Sequence, residues 1–319
     1  MTLIQFMASA GGRGFFARID RAMHMKKSTV AREVDHIFAD RNLIAKRNDV
    51  RISRVRRLQQ RQFRDQERVF LCEGARFLFK AYETGAHIQS CIYSPALVAG
   101  RSAQKLLCQI ERRGVPMIRV SKEVFISISS AEEPSGLMTI CAQRIQKLRR
   151  VCVRGDAPIW LALDSVRSPG NLGTIMRTCD GVGAAGIIFI DAQTDPYHPA
   201  AVRGSMGSIF SVPLVRASAE EFTNWAKRMH YPIVGTAPQA KLNYSDTTCA
   251  APLIVLMGSE RKGLNAKLQN CCDLTLSIPM VGRLDSLNLA VAAGIILYDV
   301  FQKTQQKQSS AEVQAQTPL

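Results

Sequence analysis

The residues best suited to chemistry lie in the stretch 278–300, which runs from a short apolar strand through a polar turn into an apolar helix. Ser286, Leu287 and Asn288 open that helix, so polar side chains stand at the start of an otherwise apolar element. The first N–H groups of a helix have no partner within it and attract ligands. Asp285 or Ser286 is expected to cap it. The pattern predicts a buried helix with a ligand site at its beginning.

A second candidate is Arg177, which follows Asn171 on a predicted helix after an apolar strand. A guanidinium stays protonated at any ordinary pH, so it is a poor base. It can instead bind a phosphate through paired N–H groups and stabilise negative charge on a reacting oxygen. Asn171 suits a helix cap, which is compatible with a role in a site. Taken alone, Arg177 is better explained by an exposed pair with Asp180, three residues later.

A polar loop that contains Glu260 follows the apolar strand at residues 253–257. By residue type alone, Glu260 is a loop carboxylate paired with Arg261 or Lys262. Gly258 opens the same loop, and a residue without Cβ lets a ligand approach the backbone.

Short apolar strands alternate with helices from Ile159 to the last helix, which predicts an α/β domain with a mostly parallel sheet and helices on both faces. Ligands in such sheets bind at the carboxyl ends of the strands. Residues 181–186 satisfy G-x-G-x-x-G, but a helix precedes them and a strand follows, the reverse of the dinucleotide fingerprint. These glycines are therefore expected to end a helix.

The net charge of +16 is unevenly distributed, because residues 1–150 carry 28 Lys and Arg against 13 Asp and Glu, and residues 151–319 carry 14 against 13. A basic half beside a neutral half predicts one part that binds a nucleic acid. Arginines at three- and four-residue steps are expected near one face of a helix, where they suit phosphate contacts, although a solvated face is the alternative. They are Arg51, Arg54, Arg57, Arg61 and Arg64.

Composition divides the chain into four segments. Residues 1–49 are predicted to be a flexible basic extension, although their acid-poor character is also that of a transit peptide. Residues 50–147 are predicted to form a small α/β domain and residues 148–303 a larger one, joined by a linker at 146–158. Residues 304–319 are expected to be a disordered polar tail.

The nine cysteines are odd in number and form no C-x-x-C pair, so neither a zinc site nor a disulfide framework is expected. Free thiols fit a reducing cytoplasm. No apolar run is long enough to cross a bilayer, so no membrane segment is expected.

Residues 164–191, 253–264 and 278–300, in this order, resemble the three motifs of the SpoU (TrmH-like) branch of the SPOUT RNA methyltransferases. The resemblance covers roughly Ile159 to Phe301, and its motifs are specific as a set. It implies transfer of a methyl group from S-adenosylmethionine to a ribose 2′-hydroxyl, a deep trefoil knot in the C-terminal domain, and a homodimer. Residues 69–94 resemble the ribosomal-protein-like module that binds RNA in such enzymes.

The resemblance also implies which residues form the site. Residues 198–214 resemble the family's segment between the first two motifs, where Arg203 and Ser205 either face RNA or pack. The family's catalytic positions match Arg177, Asn171, Glu260, Ser286 and Asn288, and its cofactor-binding positions match Thr236, Gly258, Ile278 and Leu287.

The two-domain layout favours large-subunit ribosomal RNA as the substrate. Three alternatives stay open at this point: a tRNA 2′-O-methyltransferase, a non-catalytic RNA-binding protein with the same fold, and base methylation by another SPOUT branch.

Overall fold

The computed structural model describes residues 43–151, 158–190 and 193–315. The chain divides into two units, Met1–Ala142 and Gln143–Leu319, and each has its own sheet. Within the described ranges, no helix is both long and apolar enough to cross a membrane.

The N-terminal unit is a small α/β domain with a four-stranded sheet in the order β1-β4-β2-β3. β4 is antiparallel to β1 and β2, and β3 is parallel to β2. Its elements are α1 (Val50–Arg57), α2 (Arg61–Glu67), β1 (Val69–Glu73), α3 (Ala75–Glu83), β2 (Ile88–Tyr93), α4 (Arg101–Arg112), β3 (Met117–Arg119), α5 (Lys122–Ile126) and β4 (Leu137–Ala142).

The arginine-rich segment forms two helices and not the single basic helix that the sequence predicted. α1 ends at Arg57 and α2 begins only at Arg61, because the backbone of Gln60 between them is extended, with a ψ of 138°. Leu58, which follows α1, is fully buried. The break changes the direction of the side chains, so the five arginines do not share one helical face. Arg64 is itself buried, with 1% of its surface exposed.

The N-terminal unit begins before residue 50, which corrects the predicted boundary. Ile44 is buried and pairs with Val120 in a parallel bridge. Asp49 caps α1 by accepting from the N–H of Arg51 at 2.9 Å. Residues 43–49 therefore belong to the folded unit, and the predicted extension over residues 1–42 lies outside the described residues.

The C-terminal unit has an eight-stranded sheet in the order β10-β12-β9-β11-β6-β7-β8-β5, and every pairing in it is parallel. The predicted parallel α/β architecture is confirmed. Its elements are β5 (Ile145–Lys147), β6 (Ile159–Leu163), α6 (Pro169–Gly181), β7 (Gly186–Phe189), α7 (Pro199–Ser205), β8 (Leu214–Arg216), α8 (Ala219–Arg228), β9 (Ile233–Thr236), β10 (Leu242–Asn243), β11 (Leu253–Met257), α9 (Ala266–Gln269), β12 (Leu274–Ser277) and α10 (Leu289–Ala315).

Helices cover both faces of this sheet. Trp160 and Ala162 of β6 pack with Phe222 and Trp225 of α8 on one face. Leu161 points to the opposite face by strand alternation and is fully buried as well. On that face α10 contacts β11 and α6 contacts β7 and α10. The starts of α6 and α10 are neighbours, because Asn171 near the first accepts from Asn288 before the second.

Two predicted boundaries of the C-terminal unit are wrong. β5 pairs with β8, and Leu148 is buried in the core, so the unit starts at Gln143 and residues 146–151 are not a linker. Residues 152–157 lie outside the described residues. α10 continues to Ala315 without a tail at 304, because Thr304 is buried and its hydroxyl accepts from the N–H of Ala251 at 2.9 Å. Residues 316–319 lie outside the described residues.

The glycines at 181–186 end a helix, as predicted. α6 stops at Gly181, Gly183 has a left-handed φ of 64°, and β7 starts at Gly186. No dinucleotide fingerprint is formed.

Candidate active site

The start of α6 is fixed by Ser168, whose hydroxyl accepts from the N–H of Asn171 at 3.3 Å. Pro169 occupies the first helical position, where a missing N–H costs nothing. Asn171 is therefore not the cap that the sequence suggested. Its side-chain amide is left free to bond outside the helix.

Asn171 joins two residues that are far from it in sequence. Its Nδ2 donates to Glu260 Oε1 at 3.1 Å, and its Oδ1 accepts from Asn288 Nδ2 at 3.0 Å. The N–H of Ser168 also points to Glu260 Oε1, at 3.4 Å. Among the described residues Glu260 forms no ion pair, so pairing with a neighbouring cation in its loop is excluded.

Asn288 caps α10, which corrects the expectation that Asp285 or Ser286 does so. Its Oδ1 accepts from the N–H of Ala290 at 2.9 Å and of Val291 at 3.4 Å. The same side chain donates through Nδ2 to Asn171. The cap thus fixes the amide orientation that the Asn171 contact needs.

The loop of residues 258–264 carries Glu260 and is tightly closed. Ser259 and Gly263 exchange two backbone hydrogen bonds, at 3.1 and 3.0 Å. A Cβ on Gly258 would overlap the carbonyl of Gly263 and the nitrogen of Leu264. The protein's own backbone therefore requires glycine at 258, whereas the sequence suggested room for a ligand.

A cavity of about 410 Å³ lies at the carboxyl ends of β9, β11 and β12. This volume falls within the range of about 300–1,000 Å³ that is usual for small-molecule sites. Its lining contains all four predicted cofactor residues and two of the predicted catalytic ones: Thr236, Gly258, Ile278, Leu287, Glu260 and Ser286.

The cavity fits S-adenosylmethionine, which combines an adenosine, a sulfonium and an amino-acid group. Leu276 and Met280 supply apolar surface, and Glu260, Lys262 and Asp285 supply both signs of charge. Main-chain groups of residues 280–287 form no hydrogen bond to any described residue, so they are available to a ligand. Backbone groups beside an apolar surface suit a purine.

Arg177 is not joined to the Glu260–Asn171–Asn288 hydrogen bonds. It lies six residues after Asn171 on α6, about 9 Å further along the axis at 1.5 Å per residue. Its side chain is exposed and forms no ion pair or hydrogen bond within the described ranges, so the alternative pairing with Asp180 is wrong. Its guanidinium is free to bind an anion.

The predicted RNA-binding arginines are mostly engaged in local contacts. Arg51 binds Asp49 at 2.9 Å, and this bond lowers the pKa of the Asp49 carboxyl to about 2. Arg54 binds Glu67 at 2.6 Å and Gln89 at 2.6 Å. Arg57 lies 5.3 Å from the ring centroid of Phe63, and Arg61 binds Asp65 at 3.2 Å. Arg64 donates to the carbonyls of residues 58 and 59 at 3.1 and 2.6 Å.

Arg64 is therefore a structural residue, and its assignment to RNA binding is wrong. Its guanidinium satisfies carbonyls left open where α1 ends. Ser205 is also structural, since it is buried and donates to the carbonyl of Val202 at 2.6 Å. Arg203 remains exposed.

Asp164 and Asn265 were not found from the sequence, although they bear on the site. Asn265 Nδ2 donates to Asp164 Oδ2 at 2.9 Å. The available signal was the position of Asp164 at the carboxyl end of a predicted strand, where ligand sites lie.

Comparison with known proteins gives two family matches. Residues 158–298 match the model described as the SpoU rRNA Methylase family. Residues 49–139 match the model described as the MRM3-like substrate binding domain. The two matched ranges fall in the two units of the structure.

Individual relatives agree with these matches. A 23S rRNA (uridine(2479)-2′-O)-methyltransferase of Streptomyces viridochromogenes is 32% identical over 237 residues, 72% of this chain and 81% of that protein. The 23S rRNA (guanosine(2553)-2′-O)-methyltransferase RlmP of Bacillus subtilis is 27% identical over 250 residues, 76% and 92% of the two chains. A solved structure, the AdoMet-bound rRNA methyltransferase from Sinorhizobium meliloti, has a TM-score of 0.75 at 32% identity and covers 81% of this chain and 97% of that one.

Proposed function

The chain belongs to the SpoU rRNA methylase family, and on that premise we propose that it methylates a ribose 2′-hydroxyl of large-subunit ribosomal RNA, with S-adenosylmethionine as the methyl donor. The observation that carries the proposal is the set of hydrogen bonds Glu260–Asn171–Asn288, which lies beside a cavity lined by all four cofactor residues. The two named relatives modify different nucleotides, a uridine and a guanosine. The target nucleotide is therefore not assigned.

Bound S-adenosylmethionine supplies a methyl group on a sulfonium, which is a good leaving group. The protein's task is to hold the acceptor ribose in line with that methyl group and to make its 2′-oxygen more nucleophilic. Arg177 binds the phosphate next to the ribose and stabilises negative charge that develops on the oxygen. Asn171, Asn288 and Glu260 hold the ribose beside the cavity, and Ser286 lines the cavity on the side of α10.

The N-terminal unit is proposed to bind the RNA. Its match to a substrate-binding domain and the basic charge of residues 1–150 support this role. Arg51, Arg54, Arg57 and Arg61 remain partly or fully exposed, so each can exchange its local partner for a phosphate. RNA affinity should then fall steeply as salt increases, because each phosphate contact releases counterions.

A homodimer through the C-terminal unit is also proposed. The supporting observation is a set of exposed apolar side chains in the 280–291 segment and on α10, where monomers rarely leave such surface uncovered. They are Val281 at 106%, Leu284 at 75%, Val291 at 51% and Tyr298 at 47% exposure. Light scattering should give twice the chain mass, and a monomer at micromolar concentration would exclude the homodimer.

The predicted cytoplasmic location also stays a proposal, to be tested by fractionation.

The deciding experiment is transfer of a labelled methyl group to total ribosomal RNA, followed by nuclease digestion and mass spectrometry. Label on a ribose supports the proposal, and label on a base assigns the reaction to the alternative chemistry. Arg177→Ala is expected to bind S-adenosylmethionine normally by calorimetry and to lose turnover by at least about a hundredfold. If the wild-type chain binds RNA but does not bind the cofactor and transfers no label, it is instead a non-catalytic RNA-binding protein.

A further inference from the structure

Asp164 is a buried carboxylate at the end of β6 that the proposed chemistry does not use. Only 7% of its surface is exposed, and no described Lys or Arg forms an ion pair with it. Burying an unpaired carboxylate is unfavourable unless hydrogen bonds compensate. Three donors do so here, namely the Ser165 hydroxyl at 2.9 Å, Asn265 Nδ2 at 2.9 Å and the N–H of Asn265 at 3.4 Å.

The bonds of Asp164 hold both ends of the 258–264 loop. Its backbone N–H donates to the carbonyl of Met257, the residue before the loop, at 2.9 Å. Its carboxylate accepts from Asn265, the residue after the loop. One residue directly after a neighbouring strand therefore fixes the distance between the two ends of the loop.

The loop that is held in this way forms one side of the cavity. All of its residues, 258 to 264, line the cavity, and Glu260 at its tip bonds Asn171. The chain that leads from Asp164 into α6 supplies the other partner, because it carries Ser168 and Asn171. Ser165 makes this turn possible with a left-handed φ of 60°. A shift at Asp164 would thus displace both sides of the Asn171–Glu260 bond.

We propose that Asp164 is a positioning residue, which sets the 258–264 loop for cofactor binding and for the Glu260 contact through its bonds to Met257 and Asn265. This inference rests on the proposed function for its catalytic consequence. Its structural consequence can be measured without the cofactor, because the loop contains the exposed residues Arg261 and Lys262, where trypsin cleaves.

Asp164→Asn is the direct test, and Asn265→Ser is the second variant should Asp164→Asn not fold. Asn265 caps α9, because its Oδ1 accepts from the N–H of Leu268 at 3.0 Å. Serine is also a good cap, but it lacks the Nδ2 group that donates to Asp164. Losing a hydrogen bond to a charged group changes the equilibrium between the ordered and the open loop by about tenfold to a hundredfold. Both variants should be cut after Arg261 or Lys262 at least about tenfold faster, and should bind S-adenosylmethionine at least about tenfold more weakly.

The matched control is Asp273→Asn. The Asp273 carboxylate also accepts a backbone hydrogen bond, from the N–H of Ile233 at 2.7 Å. It lies at the amino ends of β9 and β12, whereas the cavity lies at their carboxyl ends. It should lower Tm without changing loop cleavage or cofactor affinity. The double variant Asp164→Asn with Asn265→Asp reverses the donor and acceptor and keeps a good cap, so it should recover cofactor affinity to within about threefold of wild type.

Three results would overturn the inference: wild-type cleavage in both folded single variants, equal effects in Asp273→Asn, or no recovery in the double variant. The proposed function fails separately, if the wild-type chain does not bind the cofactor while the cleavage rates still follow the expected order.

Discussion

Replacing Gly258 with alanine tests whether the 258–264 loop needs glycine for its own closure. The added methyl would overlap the carbonyl of Gly263 and the nitrogen of Leu264, which are backbone atoms and cannot rotate aside as a side chain can. Overpacking of this kind costs about 1–3 kcal/mol. For a domain of this size, each kcal/mol lowers Tm by about 2–4 °C, so Tm should fall by about 2–12 °C.

The loop must also move away from its closed position to admit the methyl group. Since the loop lines the cavity, cofactor affinity should fall together with stability, by about tenfold for each 1.4 kcal/mol of the strain that the bound state retains. Differential scanning fluorimetry gives Tm, and calorimetry with S-adenosylmethionine gives Kd.

Gly294→Ala is the matched control, because no atom lies within 4 Å of its added Cβ and it sits inside α10. Alanine is favoured over glycine in a helix by about 0.5–1 kcal/mol, so Tm should rise slightly at unchanged cofactor affinity. Weaker cofactor binding by Gly258→Ala at wild-type Tm would mean that glycine serves the ligand alone. That result would refute the reasoning from loop closure.

Three further outcomes are expected. Asn171→Ala removes two side-chain hydrogen bonds of about 1 kcal/mol each, so kcat/KM for methyl transfer should fall about thirtyfold. An unchanged value would contradict a catalytic role for these two bonds. Arg64→Ala should destabilise the N-terminal unit by about 2–4 kcal/mol in urea, with cofactor affinity of the C-terminal unit unchanged. Burial raises the pKa of the Cys91 thiol to about 12, so Cys91 should not react with Ellman's reagent at pH 8 before unfolding. The stability that this raised pKa represents is complete below about pH 9 and is lost as pH rises toward 12, so Cys91→Ala should reduce the alkaline loss of stability.

Patterns that depend on local periodicity were read correctly from the sequence. The parallel strands of the C-terminal unit were visible as apolar runs separated by helices, and the reversed order around Gly181 excluded a dinucleotide site. The trefoil knot implied by the resemblance stays a prediction of the chain path.

Patterns that depend on tertiary packing were not. The extended backbone at Gln60 interrupts the arginine-rich helix beside the buried Leu58, a change that arginine spacing cannot reveal. The bond between Thr304 and Ala251 keeps α10 ordered where composition alone indicated a tail.

The site shows the same division. The family resemblance indicated Asn171, Glu260 and Asn288, but only the fold shows that Asn171 bonds both of the others. The role of Asn288 as the cap of α10 depends on where the helix starts, and a sequence with several polar residues in a row leaves that start open by a few positions. Asp164 was missed because its partners are about a hundred residues away in the chain.

The hydrogen bonds of the site join residues 171, 260 and 288, so they can form only once nearly all of the protein has been synthesised. A polypeptide terminated before α10 would keep the whole N-terminal unit and lack the last of these side chains. If that unit alone holds the RNA, such a fragment would occupy the substrate without modifying it and compete with the complete enzyme.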